Sequence, residues 1–455
     1  MDKELIVIGG GLAGSEAAWQ AAELGIQVYL YEMRPQKKTP AHTTPNLAEL
    51  VCSNSLGSVL PHKAPGLLKA ELRGLGSLIL ACAAQTTVPA GSSLAVDRDL
   101  FAEAVTSKIG SHSNIELVRE EVTTVPATPA IIASGPLTSN PLTASISNLT
   151  GQQHLYFYDA LSPIVEADSI NMEIAFRKSR YDNGKQEDGD YINCPLTKEE
   201  YGRFIAALLK AETITLRQFE QEDPHFFEGC MPIEQIARRG QDALAYGPMR
   251  PVGLIDPRHD KRPYAVVQLR QDNLAASLYN IVGFQTNLRW GEQRRVLRLI
   301  PGLEKSEFIR YGMMHRNTYI NAPHLLQPTL QYRGRADLFF SGQITGVEGY
   351  MGNAATGLLA GLNAARLLKG QLPVIMPTKT ILGALCHYIT HAEAKKFQPM
   401  KANFGLLPPP QHKLAKSERY RWYSERSLTA MRRFTRTHQI RYDRDNAEKL
   451  LVTGG

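Results

Sequence analysis

The sequence has little cysteine and nothing that would pair it. Five cysteines, Cys52, Cys82, Cys194, Cys230 and Cys386, stand among 455 residues. The number is odd, the spacing is wide and no C-x-x-C pair occurs, so neither a disulfide framework nor a zinc knuckle is written here. A reducing, cytoplasmic setting is the expectation. The histidines are scattered without H-E-x-x-H or any other ligand spacing, and no metal site is expected. Long apolar runs are missing too: stretches such as Leu78 to Ala84 fall far below the roughly 18 residues needed to span a bilayer. The amino end carries Asp2 and Glu4 ahead of a short apolar run, which is neither a signal nor a transit peptide. No membrane partner is expected. There is no repeat at fixed period and no low-complexity tract.

What is present reads as a folded globular protein. Hydrophobic residues make up 43% and charged ones 21%, close to the average for such chains. At about 150 residues per domain the length allows roughly three domains, or two with one enlarged by insertions. The net charge of +7 is unevenly placed, because Gln411 to Arg444 holds ten Lys/Arg against Glu418, Glu425 and Asp443. A basic end of this kind is either a solvated helical face or a surface for a polyanion such as nucleic acid.

The strongest local signal opens the chain. Leu5 to Ile8 is apolar, Gly9-Gly10-Gly11-Leu12-Ala13-Gly14 follows, and Ser15 to Leu24 is rich in helix formers. A second apolar run, Val28 to Tyr31, ends on Glu32, 18 residues past Gly14. Strand, glycine turn, helix and a distant acid together form a dinucleotide-binding fingerprint. Gly9 permits the tight turn, Gly11 lets backbone approach a pyrophosphate, and Gly14 lets helix and strand pack closely. The helix amino terminus offers N–H groups to phosphate, and Glu32 would accept hydrogen bonds from ribose hydroxyls. Ala130 to Gly135 and Asp337 to Gln343 read as further buried strands, the latter followed by an Ala/Gly-rich helix from about Asn353 to Leu368.

The expected fold is therefore α/β. A Rossmann-like dinucleotide domain, residues 1–165 and 317–372, is interrupted by an α+β insertion at 166–316. A basic helical segment at 373–455 is expected to pack on that insertion and to face RNA. Within the insertion, Gly184 to Asp190 is turn-rich and Tyr201 to Leu209 has the pattern of an amphipathic helix.

Several strings together resemble one family: Ile6 to Glu16, Leu50 to Gly57, Phe227 to Glu234, Gln343 to Tyr350 and Asn403 to Pro408. The chain is similar to the folate- and FAD-dependent tRNA (uracil-54-C5)-methyltransferases. The related flavoproteins that modify the wobble uridine share the first glycine motif, but carry a long carboxy-terminal helical domain for which this chain is too short. The resemblance implies FAD as cofactor, methylenetetrahydrofolate as one-carbon donor, NADH or NADPH as reductant, and tRNA as partner. It implies cofactor contacts at Gly9, Gly10, Gly11, Leu12, Ala13, Gly14, Glu32, Gly342, Gln343 and Tyr350, with Tyr350 either stacking on a ring or serving as core.

The implied chemistry suits cysteine. Uracil C5 is a poor nucleophile until a thiolate adds to C6. A base must then take the C5 proton, and a hydride must reduce the transferred methylene. Cys230 is assigned to the addition, with Arg238 and Arg239 as cations to favour its thiolate, and Cys52 to the proton. The roles could be exchanged. Cys82, Cys194 and Cys386 match no motif and are read as structural. Arg432, Arg433 and Arg436 are the expected RNA contacts. Two rival readings share the glycine motifs: a flavin oxidoreductase acting on a small molecule, and a noncatalytic flavin-bound RNA-binding protein.

Overall fold

A computed structural model describes residues 3–152, 155–160, 162–182, 189–214, 231–259, 261–312 and 314–452. Cys230 and most of the turn-rich stretch from Gly184 to Asp190 lie outside the described residues. Five apolar runs form a parallel sheet in the spatial order Arg335–Phe340, Ala130–Ile132, Glu4–Ile8, Gln27–Tyr31 and Ile115–Val118, and the short Gln331–Tyr332 closes one edge antiparallel. Parallel strands are covered on both faces, which is why Ile131, Ile132 and Phe340 are fully buried and why these strands read as continuous apolar runs.

The helix after the first strand, Leu12–Glu23, packs on the helix after the last, Tyr350–Leu368. The contact is backbone to backbone: a Cβ at Gly357 would lie 2.2 Å from the Ala13 carbonyl oxygen, and one at Gly361 2.3 Å from that of Ala17. Residues more than 300 apart in sequence thus share one core. The second helix starts at Tyr350, three residues before the sequence-based start, because Gly349 at φ +86° supplies the turn into it.

The insertion has its own antiparallel sheet, ordered Phe176–Arg177, Tyr191–Leu196, Ala265–Gln271, Leu278–Ile281, Ile164–Glu166 and Phe308–Arg310. Ile192, Cys194, Val267, Leu269 and Ile281 point to one face, where Lys198–Lys210, Ile233–Arg238 and Trp290–Leu297 bury them. The first of these helices is the amphipathic one read from Tyr201 to Leu209, and it starts on a capping box between Thr197 and Glu200. Ile164–Glu166 belongs to this sheet, so a boundary between 165 and 166 cuts a strand. The link between the domains is instead the antiparallel pair Leu155–Ala160 and Met314–Tyr319.

The carboxy-terminal segment packs on the dinucleotide-type domain, which corrects the expectation that it covers the insertion. Tyr423, Leu428, Met431 and Phe434 of helix Lys416–Thr437 join the core that contains Leu5 and Leu67. Glu71 in helix Ala64–Gly74 accepts hydrogen bonds from the Ile381 and Leu382 N–H groups at 2.8 and 2.9 Å and from Ser427 Oγ at 2.5 Å. The apolar stripe needs apolar cover. The insertion sheet has none to spare, since its one apolar face is filled by its own helices.

Candidate active site

The chain leaves strand Glu4–Ile8 toward Gln27–Tyr31 on one side, and leaves its other neighbour, Ala130–Ile132, toward Arg335–Phe340 on the opposite side, so the connections of these two adjacent strands diverge and open a crevice at the carboxyl ends. Gly9 turns the chain there with φ +103°, and a Cβ on it would lie 2.6 Å from the Ala133 carbonyl oxygen. A Cβ at Gly14 would lie 1.8 Å from the Gly9 carbonyl oxygen, whereas one at Gly11 would meet nothing within 4 Å. The Gly11 position faces a cavity of ≈ 490 Å³. No side chain caps helix Leu12–Glu23 at Gly11, so its first-turn N–H groups are available to phosphate.

Gly9, Gly11, Leu12, Ala13, Glu32, Gly342, Gln343 and Tyr350 all line this cavity, and so does Cys52. Gly10 and Gly14 lie behind it: the Gly10 N–H donates to Glu32 Oε2 at 3.0 Å, and Gly14 provides the helix-to-strand contact. An open cradle at Gly11, an uncapped helix terminus and a carboxylate at the end of the second strand fit a dinucleotide. Glu32 is 6% exposed, and Arg34 Nε donates to its Oε1 at 2.9 Å. Burial opposes its ionisation, but the Arg34 hydrogen bond and charge and the Gly10 N–H outweigh burial and hold the carboxyl below its usual range. Arg34 also pairs with Glu49 at 3.0 Å.

Tyr350 takes a role that neither reading of it contained. Its hydroxyl accepts the N–H groups of Cys52 and Ser53 at 2.9 and 3.0 Å, so a cavity-lining ring also anchors the cysteine loop. Burial, and next the charge of Cys52, push the phenol above its ordinary range.

A profile described as glucose inhibited division protein A matches residues 4–372. An Enterococcus faecalis protein named methylenetetrahydrofolate--tRNA-(uracil-5-)-methyltransferase TrmFO is 57% identical over 429 residues, which cover 94% of this chain and 98% of its own. A Pelotomaculum thermopropionicum protein of the same name is 58% identical over 437 residues, 96% of this chain and 99% of its own. The chain belongs to this methyltransferase family. Crystal structures of Aquifex aeolicus GidA in two crystal forms share its fold, with TM-scores of 0.69 and 0.65 at 16% identity, covering 99% and 95% of this chain and 76% and 78% of theirs.

Within this family member, the remaining cysteines separate by burial. Cys82, Cys194 and Cys386 are at most 2% exposed, and burial pushes the thiols of Cys82 and Cys386 up to about 11 and about 12. Cys52 is half-buried at the cavity. Cys230 lies outside the described residues, while Arg238 and Arg239 are exposed at the end of helix Ile233–Arg238. Of the three carboxy-terminal arginines, Arg433 and Arg436 are exposed, whereas Arg432 pairs with Glu448 at 3.0 Å. Among the described residues no helix is long and apolar enough to cross a membrane.

Arg34 and Glu49 escape sequence reasoning. The one signal for Arg34 is a cation two residues past the strand-end acid. Glu49 carries no such mark, because only the folding of residues 35–48 brings it back to Arg34.

Proposed function

We propose that the protein methylates C5 of uridine 54 in the T-loop of tRNA, taking the carbon from methylenetetrahydrofolate, with FAD resident in the cavity and NADH or NADPH as the electron source. Identity of 57–58% to proteins named for this reaction, over nearly the whole chain, carries the reading. Bound FAD supplies the hydride that turns the transferred methylene into a methyl group.

The chain's own residues do the rest. The backbone at Gly9 and Gly11 and the first-turn N–H groups of helix Leu12–Glu23 hold the pyrophosphate, and the Glu32 carboxylate takes the ribose hydroxyls. The Cys230 thiolate adds to uracil C6 and places a nucleophilic pair on C5. Once the C5–carbon bond has formed, Cys52 takes the C5 proton as the bond from the transferred carbon to the folate nitrogen breaks, leaving a methylene on C5. When that methylene has been reduced to methyl, the C5=C6 double bond re-forms and the bond from Cys230 to C6 breaks. The position of Cys52 on the cavity wall supports that role; the Cys230 role rests on the family resemblance. Exposed Arg433 and Arg436 supply phosphate contacts.

A tRNA fragment containing 5-fluorouridine at position 54 tests the thiol assignment, because fluorine blocks removal from C5 and traps the covalent adduct. Peptide mapping is expected to find the adduct on Cys230, with Cys230→Ala abolishing it. Adduct on Cys52 would exchange the roles, and full turnover by both alanine variants would remove thiolate catalysis.

A further inference from the structure

The insertion sheet is pinned to the loop that carries Cys52. Arg310, at the end of edge strand Phe308–Arg310, donates from Nη2 to the Val51 carbonyl. Arg270 donates to Ser53 Oγ at 2.6 Å and to Asn54 Oδ1 at 2.8 Å, and Arg98, from the dinucleotide-type domain, to the Leu50 carbonyl at 2.7 Å. Val51 and Cys52 line the cavity, so the residue after Arg310 is one peptide bond from a group that touches its wall. That residue is Tyr311, and its ring meets two others. Trp290 stacks on it with centroids 5.9 Å apart and planes 15° apart, and Phe308 does so at 5.5 Å and 16°.

Phe308 packs against the insertion core, whereas Tyr311 and Trp290 belong to none of the apolar clusters. Trp290 is 56% exposed, and among the described residues no second ring or cation stacks on it. A buried glutamine fixes the arrangement. Gln293, on helix Trp290–Leu297, donates from Nε2 to the Gly312 carbonyl at 2.9 Å and accepts the Gly312 N–H at 2.7 Å. The backbone beside Tyr311 is thereby clamped to the helix that starts with Trp290, and little freedom is left to lose on binding. The same helix face is basic. Arg294 lies one turn from Trp290 and Arg298 one turn further, and the two divide Glu307 between them at 3.7 and 3.5 Å. Arg289 pairs with Glu212 at 2.7 Å and Arg295 with Glu292 at 2.6 Å. Four arginines thus meet three carboxylates in surface pairs, which are weak and free to exchange for phosphate. An exposed aromatic face among guanidinium groups suits single-stranded RNA, where base stacking supplies affinity and cations follow the backbone.

We propose that Trp290, backed by Tyr311, is a stacking platform for one unpaired base of the tRNA loop that carries the uridine to be methylated, and that Arg294 holds the adjoining phosphate. A uridine that enters the cavity must leave its stack, and a neighbouring base held on Trp290 keeps the strand open beside it. The inference rests on the reading of tRNA as the substrate.

The test measures binding of a fluorescein-labelled, unmodified tRNA transcript to the FAD-loaded protein across a range of salt. Trp290→Ala is expected to bind about tenfold more weakly with the parental salt slope, because stacking releases no counterions, and Trp290→Phe to stay close to the parent. Arg294→Ala keeps the rings and is expected to lower the slope by roughly 0.7–0.9 log units per tenfold change in salt. Equal flavin content in all three shows that they fold. Transcripts with a single abasic residue at successive T-loop positions locate the base: at one position the parent is expected to lose affinity and Trp290→Ala to lose no more. Parental affinity or an altered salt slope in Trp290→Ala overturns the proposal, as does full additivity with every abasic residue. A Trp290→Ala protein that keeps its tRNA affinity but changes its size in solution would make the face a protein contact, which also overturns it. Formation of 5-methyluridine by the parent is measured separately: its absence, with Trp290-dependent binding intact, would refute the methyl-transfer reading and not the platform.

Discussion

At Gly11 and Gly14 the same missing methyl group has opposite consequences. A Cβ at Gly14 would sit 1.8 Å from the Gly9 carbonyl oxygen, while one at Gly11 would project into open cavity. Gly14→Ala is therefore expected to cost about 1–3 kcal/mol of folding stability by overpacking, seen as a lowered melting temperature. Gly11→Val is expected to melt like the parent apoprotein and to lose its FAD; retention of full flavin content would refute the assignment. These positions were legible in the sequence because each glycine acts on neighbours within a few residues. The three arginines around Cys52 were not. Arg98, Arg270 and Arg310 each look like a solvated cation in the sequence, and only antiparallel register across the insertion sheet and contact between two domains bring them to one loop.

Among the secondary-structure elements, helical composition marked the segment that forms helix Lys416–Thr437 but put it on the insertion domain, and gave no sign of what seats it on the dinucleotide-type domain instead. Glu71 answers that, since it sits fully buried between helix Ala64–Gly74, the amino end of helix Ile381–His391 and Ser427. Burial is the largest influence on its carboxyl and pushes it up to about 7 from an ordinary 4.5, against the hydrogen bonds of Ser427, Leu382 and Ile381. The folded state then binds this proton more tightly than the unfolded chain does. The stability it contributes is complete below about pH 4.5 and is lost as pH rises through about 7. Glu71→Gln, which stays neutral, is expected to remove that slope. Between pH 5 and pH 8 it should gain on the order of 2–3 kcal/mol relative to the parent in urea unfolding. An unchanged difference at the two pH values would mean that Glu71 stays ionised in the fold.

For the whole molecule, the insertion domain is joined through two linking strands, and the basic carboxy-terminal helix is seated on the dinucleotide-type domain. The discontinuous domain could be read from glycine-containing strand ends some 200 residues apart, but the exit strands could not, because their pairing is long-range. Changing exposed Arg433 and Arg436 to Ala is expected to weaken tRNA binding with flavin content unchanged. The salt dependence of affinity should fall by roughly 0.7–0.9 log units, per tenfold change in salt, for every phosphate that is no longer neutralised. Unaltered affinity and slope would make this face merely solvated. The most direct test of the central claim follows the carbon. Purified protein is incubated with an unmodified tRNA transcript, reduced nicotinamide and methylenetetrahydrofolate labelled in its methylene group, in parallel with a reaction in which the label is on the methyl of S-adenosylmethionine. Label is expected in 5-methyluridine at position 54 from the folate alone; label arriving from the methionine methyl, or none arriving from the folate, would contradict it.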